Sequence, residues 1–130
     1  LETPWGSLGV AVCYDLRFPE LFRWMAGEGM DVLAVPAAFT YRTGAAHWEP
    51  LLRARAIENL TYVAAAAQTG THPGGRQTYG HTMLVDPWGA VLVDAGGRTG
   101  VITTTIDTQR LKKLRQQFPV LEHRRFKDPR

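Results

Sequence analysis

Leu8-Gly-Val-Ala-Val-Cys13, running directly into Tyr14-Asp-Leu-Arg-Phe-Pro-Glu20, is the stretch that decides how this chain is read. An apolar run of strand length, bounded by Gly6-Ser7 and by the polar turn Asp15-Leu-Arg17, predicts a buried strand. It stops on Cys13, the only cysteine in the chain. Pro19 fits the first turn of a helix, where its missing N–H costs nothing. Leu21, Phe22, Met25 and Ala26 then recur at helical spacing until Gly27 and Gly29. A thiol at a strand end that turns into a helix sits where layered α/β enzymes often present nucleophiles, close to the amide N–H groups of the turn. A lone cysteine is more commonly a small buried hydrophobe. Taken by itself, the stretch slightly favours that plainer role.

Working outward, Asp31-Val-Leu-Ala-Val-Pro36 predicts a second buried strand, ended by its proline. A small-residue loop, Ala37 to Ala46, leads to a helix from about His47 to Leu60. In that helix Leu51, Leu52, Ala54, Ala56 and Ile57 are the apolar positions, with Arg53, Arg55 and Glu58 on other faces. Tyr62 to Ala67 reads as an apolar strand and Thr69 to Thr78 as a polar, Gly-rich loop. The period then shifts toward two. His81 to Val85, the turn Asp86-Pro-Trp-Gly89 and Ala90 to Val93 predict a hairpin. Val101 to Ile106 reads as a further strand and Thr108 to Gln117 as a short basic helix. Short βα connections imply parallel strands with helices on a face, and the hairpin adds antiparallel edges, so the fold class is α/β.

Composition narrows the class further. The chain has 130 residues, 45% hydrophobic and 21% charged, enough for one domain with a sizeable core. No apolar stretch approaches the ~20 residues that span a bilayer, and no basic leader precedes an apolar segment. One cysteine cannot close an internal disulfide, which fits a reducing, cytoplasmic setting. The net charge of +3 is modest. The basic run His123 to Lys127 lacks the charge density and aromatic interleaving of a nucleic-acid surface, and reads as a solvated or subunit-facing end. The chain opens Leu1-Glu-Thr-Pro-Trp, with no Met, and enters a core strand at once. It is therefore expected to be the interior of a longer protein.

Several polar residues accompany Cys13. Asp15 and Glu20 suit a helix N-terminus as caps or dipole partners. Arg17 could pair with Glu20 or Glu49, or hold a substrate carboxylate by a bidentate contact. His47 and His81 each raise a Cys-His hydrolase possibility, but neither lies in a pattern that identifies a base. The four histidines are scattered and none pairs at zinc spacing. The glycines between Thr71 and Gly80 form no phosphate-binding fingerprint.

In combination these segments say more. Gly9-Val-Ala-Val-Cys-Tyr-Asp-Leu-Arg-Phe-Pro-Glu20 is followed by Pro36-Ala-Ala-Phe39, Gly44-Ala-Ala-His-Trp-Glu49, Leu52-Arg-Ala-Arg-Ala-Ile-Glu-Asn59, Tyr79-Gly-His-Thr82 and Val85-Asp-Pro-Trp-Gly89. In that order and spacing the blocks resemble the carbon–nitrogen hydrolase (nitrilase) superfamily over about residues 4–126. The resemblance implies a nitrilase-like αββα sandwich, of which residues 1–130 would be the C-terminal half, and a homodimer or higher oligomer of the complete protein. It also implies Glu-Lys-Cys chemistry on a small-molecule amide through a Cys thioester, with no metal or cofactor because water completes the second half-reaction. Cys13 matches the nucleophile and the Tyr14 N–H the backbone oxyanion donor, a kind of group whose loss typically costs ~10²–10³-fold in rate.

The family's Glu and Lys precede its Cys, whereas here only Glu2 is acidic before Cys13 and the first Lys is Lys112. Little or no turnover is therefore expected from residues 1–130 alone. Arg76-Gln-Thr-Tyr-Gly-His-Thr-Met83, Asp86-Pro-Trp-Gly89 and Pro119-Val-Leu-Glu-His-Arg-Arg125 resemble the branch acting on deaminated glutathione or on the ω-amides of 2-oxo acids. For such substrates Arg17 would grip a carboxylate, with Phe39 and Thr43 lining the same pocket. The alternative is a non-catalytic remnant serving as an interaction or assembly module.

Overall fold

Continuous apolar strands need cover, and the chain supplies it mainly on one side. The computed structural model describes residues 1–126; Lys127, the end of the basic run, lies outside the described residues. A short strand β1 (Glu2–Thr3) pairs antiparallel with β2 (Gly6–Val10), the predicted nucleophile strand. A 3₁₀ turn (Cys13–Arg17) leads to helix α1 (Pro19–Gly27), then β3 (Val32–Ala37), helix α2 (Tyr41–Asn59) and β4 (Tyr62–Ala67). A small hairpin, β5 (Thr69–Thr71) and β6 (Gln77–Tyr79), precedes β7 (Met83–Val85), β8 (Val91–Asp94) and helix α3 (Thr108–Gln117). The main sheet has six strands in the order β1-β2-β3-β4-β7-β8, parallel across β2, β3 and β4 and antiparallel at β7 and β8.

Register assigns each strand residue to a face. Leu33, Val63 and Val85 align across the sheet, as do Val35, Ala65 and Met83. These residues form the core with Phe22 of α1 and with Trp48, Leu52 and Ala56 of α2. Gly9 lies on this face opposite Leu33, and a Cβ there would run into the sulfur atoms of Met25 and Met30. Arg23 ties α1 to α2 by donating to the Glu58 carbonyl. Burial pushes its guanidinium pKa down; the Glu58 charge opposes that and Arg124 adds to it.

The alternate residues point the other way. Val10, Ala34, Ala64, Leu84 and Val93 form one row of that second face. Leu8, Val32 and Tyr62 form the row below it, and α3 covers this one by packing Leu111 on Val32 and Tyr62. Arg115 fastens α3 there, donating to the Met30 carbonyl (2.7 Å), the Leu60 carbonyl (3.1 Å) and Asp31 Oδ1 (2.8 Å). One helix layer on one face of a sheet whose other face is largely bare is the arrangement expected of a partial sandwich.

Three local readings change. Helix α2 starts at Tyr41, inside the predicted loop, with Thr40 as its cap. Small residues from Ala37 to Ala46 suggest a loop, but Gly44 lets α2 approach β6, because a Cβ would meet the Tyr79 side chain. The loop from Thr69 to Thr78 contains the β5–β6 hairpin. Val101 to Ile106 forms no strand: its β-branched composition fits one, but no neighbour among the described residues pairs with it and Val101 is 90% exposed.

Candidate active site

The chain reverses abruptly at Cys13. This residue has φ 49°, a left-handed conformation that a non-glycine residue holds only when its surroundings impose it. Two contacts define the turn on its near side. Asp15 Oδ2 accepts the Val12 N–H at 2.8 Å, and the Asp15 N–H donates to the Val12 carbonyl at 3.0 Å. On the far side, buried Leu16 plugs into the core and its carbonyl accepts from Arg55. The Tyr14 N–H has no acceptor among the described residues, so an unpaired backbone donor stands beside the half-buried Cys13. That pairing of a thiol with a free N–H can stabilise charge developing on a substrate oxygen as sulfur attacks.

Cys13 also lines a cavity of about 530 Å³, walled by Val12, Pro36, Ala37, Ala66, Ala67 and Thr82. It opens at the carboxyl ends of the parallel strands, where open α/β sheets place their ligands. Small apolar walls leave room beside the thiol and give little polar competition for a substrate.

Arg17 ends the turn. Its guanidinium lies over the rings of Phe39 (5.1 Å) and Tyr14 (5.5 Å), and Nη1 donates to His47 Nδ1 at 3.3 Å. An arginine only donates, so His47 Nδ1 is the acceptor in this contact. Neither Glu20 nor Glu49 pairs with Arg17: Glu49 instead meets Arg53 at 3.4 Å. Phe39 is buried against Trp48, centroids 4.9 Å apart. Cys13, Tyr14, Arg17 and Phe39 thus gather at one end of the sheet. The Thr43 hydroxyl is engaged locally, with Thr40 Oγ1 at 2.8 Å in the cap of α2.

The histidines have other partners. His81 Nδ1 pairs with Asp94 Oδ2 at 2.9 Å, its ring stacks on Tyr79 at 4.1 Å, and its carbonyl accepts the Trp48 Nε1–H at 2.8 Å. His72 Nε2 meets Thr78 Oγ1 at 2.7 Å. No histidine among the described residues hydrogen-bonds Cys13, so a Cys-His pair is not assembled here. Nor do the described residues bring together three His, Cys, Asp or Glu side chains able to hold a metal. Arg55 is the residue that sequence reading misses: set merely on a face of its helix other than the apolar one, it is buried and holds the Leu16 carbonyl.

A profile of the carbon–nitrogen hydrolase family matches residues 1–116. The deaminated glutathione amidase of Synechocystis sp. (strain PCC 6803 / GT-S) is 56% identical over 121 residues, covering 93% of this chain and 44% of that protein. The chain therefore spans less than half the length of that curated relative. Among solved structures, the C. elegans NitFhit protein superposes with a TM-score of 0.91 at 54% identity, over 95% of this chain and 30% of that one. A variant of the amidase from Nesterenkonia sp. AN1, with acrylamide added at its active-site cysteine, matches with a TM-score of 0.74 at 31% identity, over 92% of this chain and 46% of that one.

Proposed function

The chain belongs to the carbon–nitrogen hydrolase family, and from that premise we propose that it supplies the nucleophile of an amidase. Cys13 as thiolate attacks the amide carbon, and the carbonyl π pair moves onto oxygen beside the Tyr14 N–H. The tetrahedral oxyanion collapses, nitrogen leaves as ammonia carrying the proton that the general base took from the Cys13 thiol, and a thioester remains on Sγ. Water then adds to the thioester, releasing the acid and restoring the thiol. The observation behind this reading is the strained Cys13, set beside an unpaired N–H at the mouth of an apolar cavity.

The substrate class we propose is a small linear amide bearing a carboxylate, such as deaminated glutathione or the ω-amide of a 2-oxo acid. Arg17, spread over Phe39 and Tyr14, is our candidate for the carboxylate grip, with Thr43 at the neighbouring helix start. The general base and the lysine are proposed to come from residues outside this chain, which has no Lys before Lys112. The complete protein is proposed to be a cytoplasmic homodimer or higher oligomer. No helix of the described residues is long and apolar enough to cross a membrane.

Ammonia release from deaminated glutathione and from 2-oxoglutaramate tests the reading. Residues 1–130 alone should release little, and a chain that also carries the general base and the lysine should release it in a manner abolished by Cys13→Ser. Turnover by Cys13→Ser equal to that of the parent would falsify the assignment. Arg17→Ala should lower kcat/KM for the carboxylate-bearing amides and leave a neutral amide unaffected.

A further inference from the structure

The Leu16 carbonyl poses a problem that the backbone does not solve. In a 3₁₀ turn a carbonyl accepts from the N–H three residues on, and three residues past Leu16 stands Pro19, which has no N–H. The proline also drives its predecessor extended, and Phe18 has φ −107° and ψ 93°, which ends the turn. Leu16 is fully buried, and no backbone N–H among the described residues reaches its carbonyl.

Arg55, reaching across from α2 and itself only 5% exposed, fills this vacancy with two donors. Its Nε and Nη2 both donate to the Leu16 oxygen, at 3.1 and 2.7 Å. The guanidinium is fixed from two other directions. Nη1 donates to Glu58 Oε1 at 2.9 Å, and the Phe22 ring of α1 lies 5.2 Å from its central carbon. The turn that presents Cys13 is thus anchored to the helix layer through one rigid, charged fork, with the Asp15 clasp on Val12 at its other end.

We propose that Arg55 is a positioning residue of the amidase. It holds the turn so that Cys13 stays in its left-handed conformation, with thiol and Tyr14 N–H sharing one geometry. The proposal rests on the reading of Cys13 as nucleophile. A strained residue persists only while its surroundings over-determine it. Without the fork the turn can relax and withdraw the thiol from the cavity. Lysine keeps the charge but offers a compact point donor, so it restores only part of the function.

The test compares the parent chain with Arg55→Met and Arg55→Lys. Circular dichroism reports the fold, the Leu16 carbonyl ¹³C resonance reports the tether, and iodoacetamide alkylation at neutral pH reports Cys13. In the form of the protein that turns over, kcat and KM for ammonia release are read as well. With the fold retained, Arg55→Met should slow alkylation and lower kcat by about tenfold or more, Arg55→Lys should fall between, and KM should stay within about twofold. A folded Arg55→Met whose Leu16 resonance has moved but whose Cys13 reacts at the parent rate would overturn the proposal, leaving Arg55 a purely structural tie. If Arg55→Met fails to fold, the same comparison with Arg55→Lys decides. A parent Cys13 that stays inert until unfolding would instead overturn the nucleophile reading, and this proposal with it.

Discussion

The two faces of the sheet are built from the same strands and have opposite characters. On the helix side, Leu33 and Val63 are fully buried and the residues are large: Leu, Val, Met, with Phe and Trp from above. On the other side, Val10 is 48% exposed and Val12 56%, and between them and β7 the surface is mostly alanine. Large side chains interlock with a helix layer and fix its position. Small ones make a flat floor that fixes nothing, and Cys13 stands at the rim of that floor. On the proposed reading the rigid face holds the elbow in place through Arg55, while the bare face leaves open space beside Cys13.

The sharpest way to break the contrast is on the interlocked side. Trp48→Ala removes a fully buried ring, its tilted contact with Phe39 and its hydrogen bond to the His81 carbonyl. Urea unfolding should register a loss of about 3–5 kcal/mol. Leu111→Ala strips the one row of the bare face that α3 covers, and the same titration should lose about 2–3 kcal/mol, with increased binding of a hydrophobic dye. Gly9→Ala overfills the helix side against Met25 and Met30, for a cost of about 1–3 kcal/mol visible as a lowered urea midpoint. Val10→Glu probes the bare face directly. Stability of the folded chain should stay within about 0.5 kcal/mol while self-association by sedimentation falls. A core-sized loss at Val10 would mean that this face is covered after all, and the contrast would be gone.

The legible parts of the molecule were those in which local chemistry and packing agree. Strands β3 and β4 read correctly because buried parallel strands are continuously apolar. Strand β2 instead starts earlier than its apolar run, at Gly6, ends at Val10 and is only half-buried, because it lies toward the sheet edge with little cover on its second face. The turn at Asp86 read correctly because its carboxylate takes the N–H groups of Trp88 and Ala90, both at 2.9 Å. The elbow at Cys13 is visible as an apolar run ending on a lone thiol before a proline-started helix, although the strand itself stops at Val10 and Cys13 opens the turn. What escaped depends on residues far apart. Gly44 is a glycine inside a helix because a Cβ there would meet Tyr79, and nothing within ten residues of it says so. Arg55 looks like one more charge on a helix surface, and its partner lies 39 positions earlier. The one available signal was Pro19, which strips the turn of an amide and so demands a donor from elsewhere.

The alanine floor has a consequence for water. The cavity of about 530 Å³ beside the thiol is open to solvent and wide enough for several waters. Methyl walls give those waters few hydrogen bonds, so they are weakly held and readily displaced. A ligand that presents its apolar flank to the floor and its charge toward Arg17 would release them at little enthalpic cost. On the proposed reading of Cys13, hydration would thus favour entry with an apolar flank on the floor, leaving a carbonyl free to face sulfur.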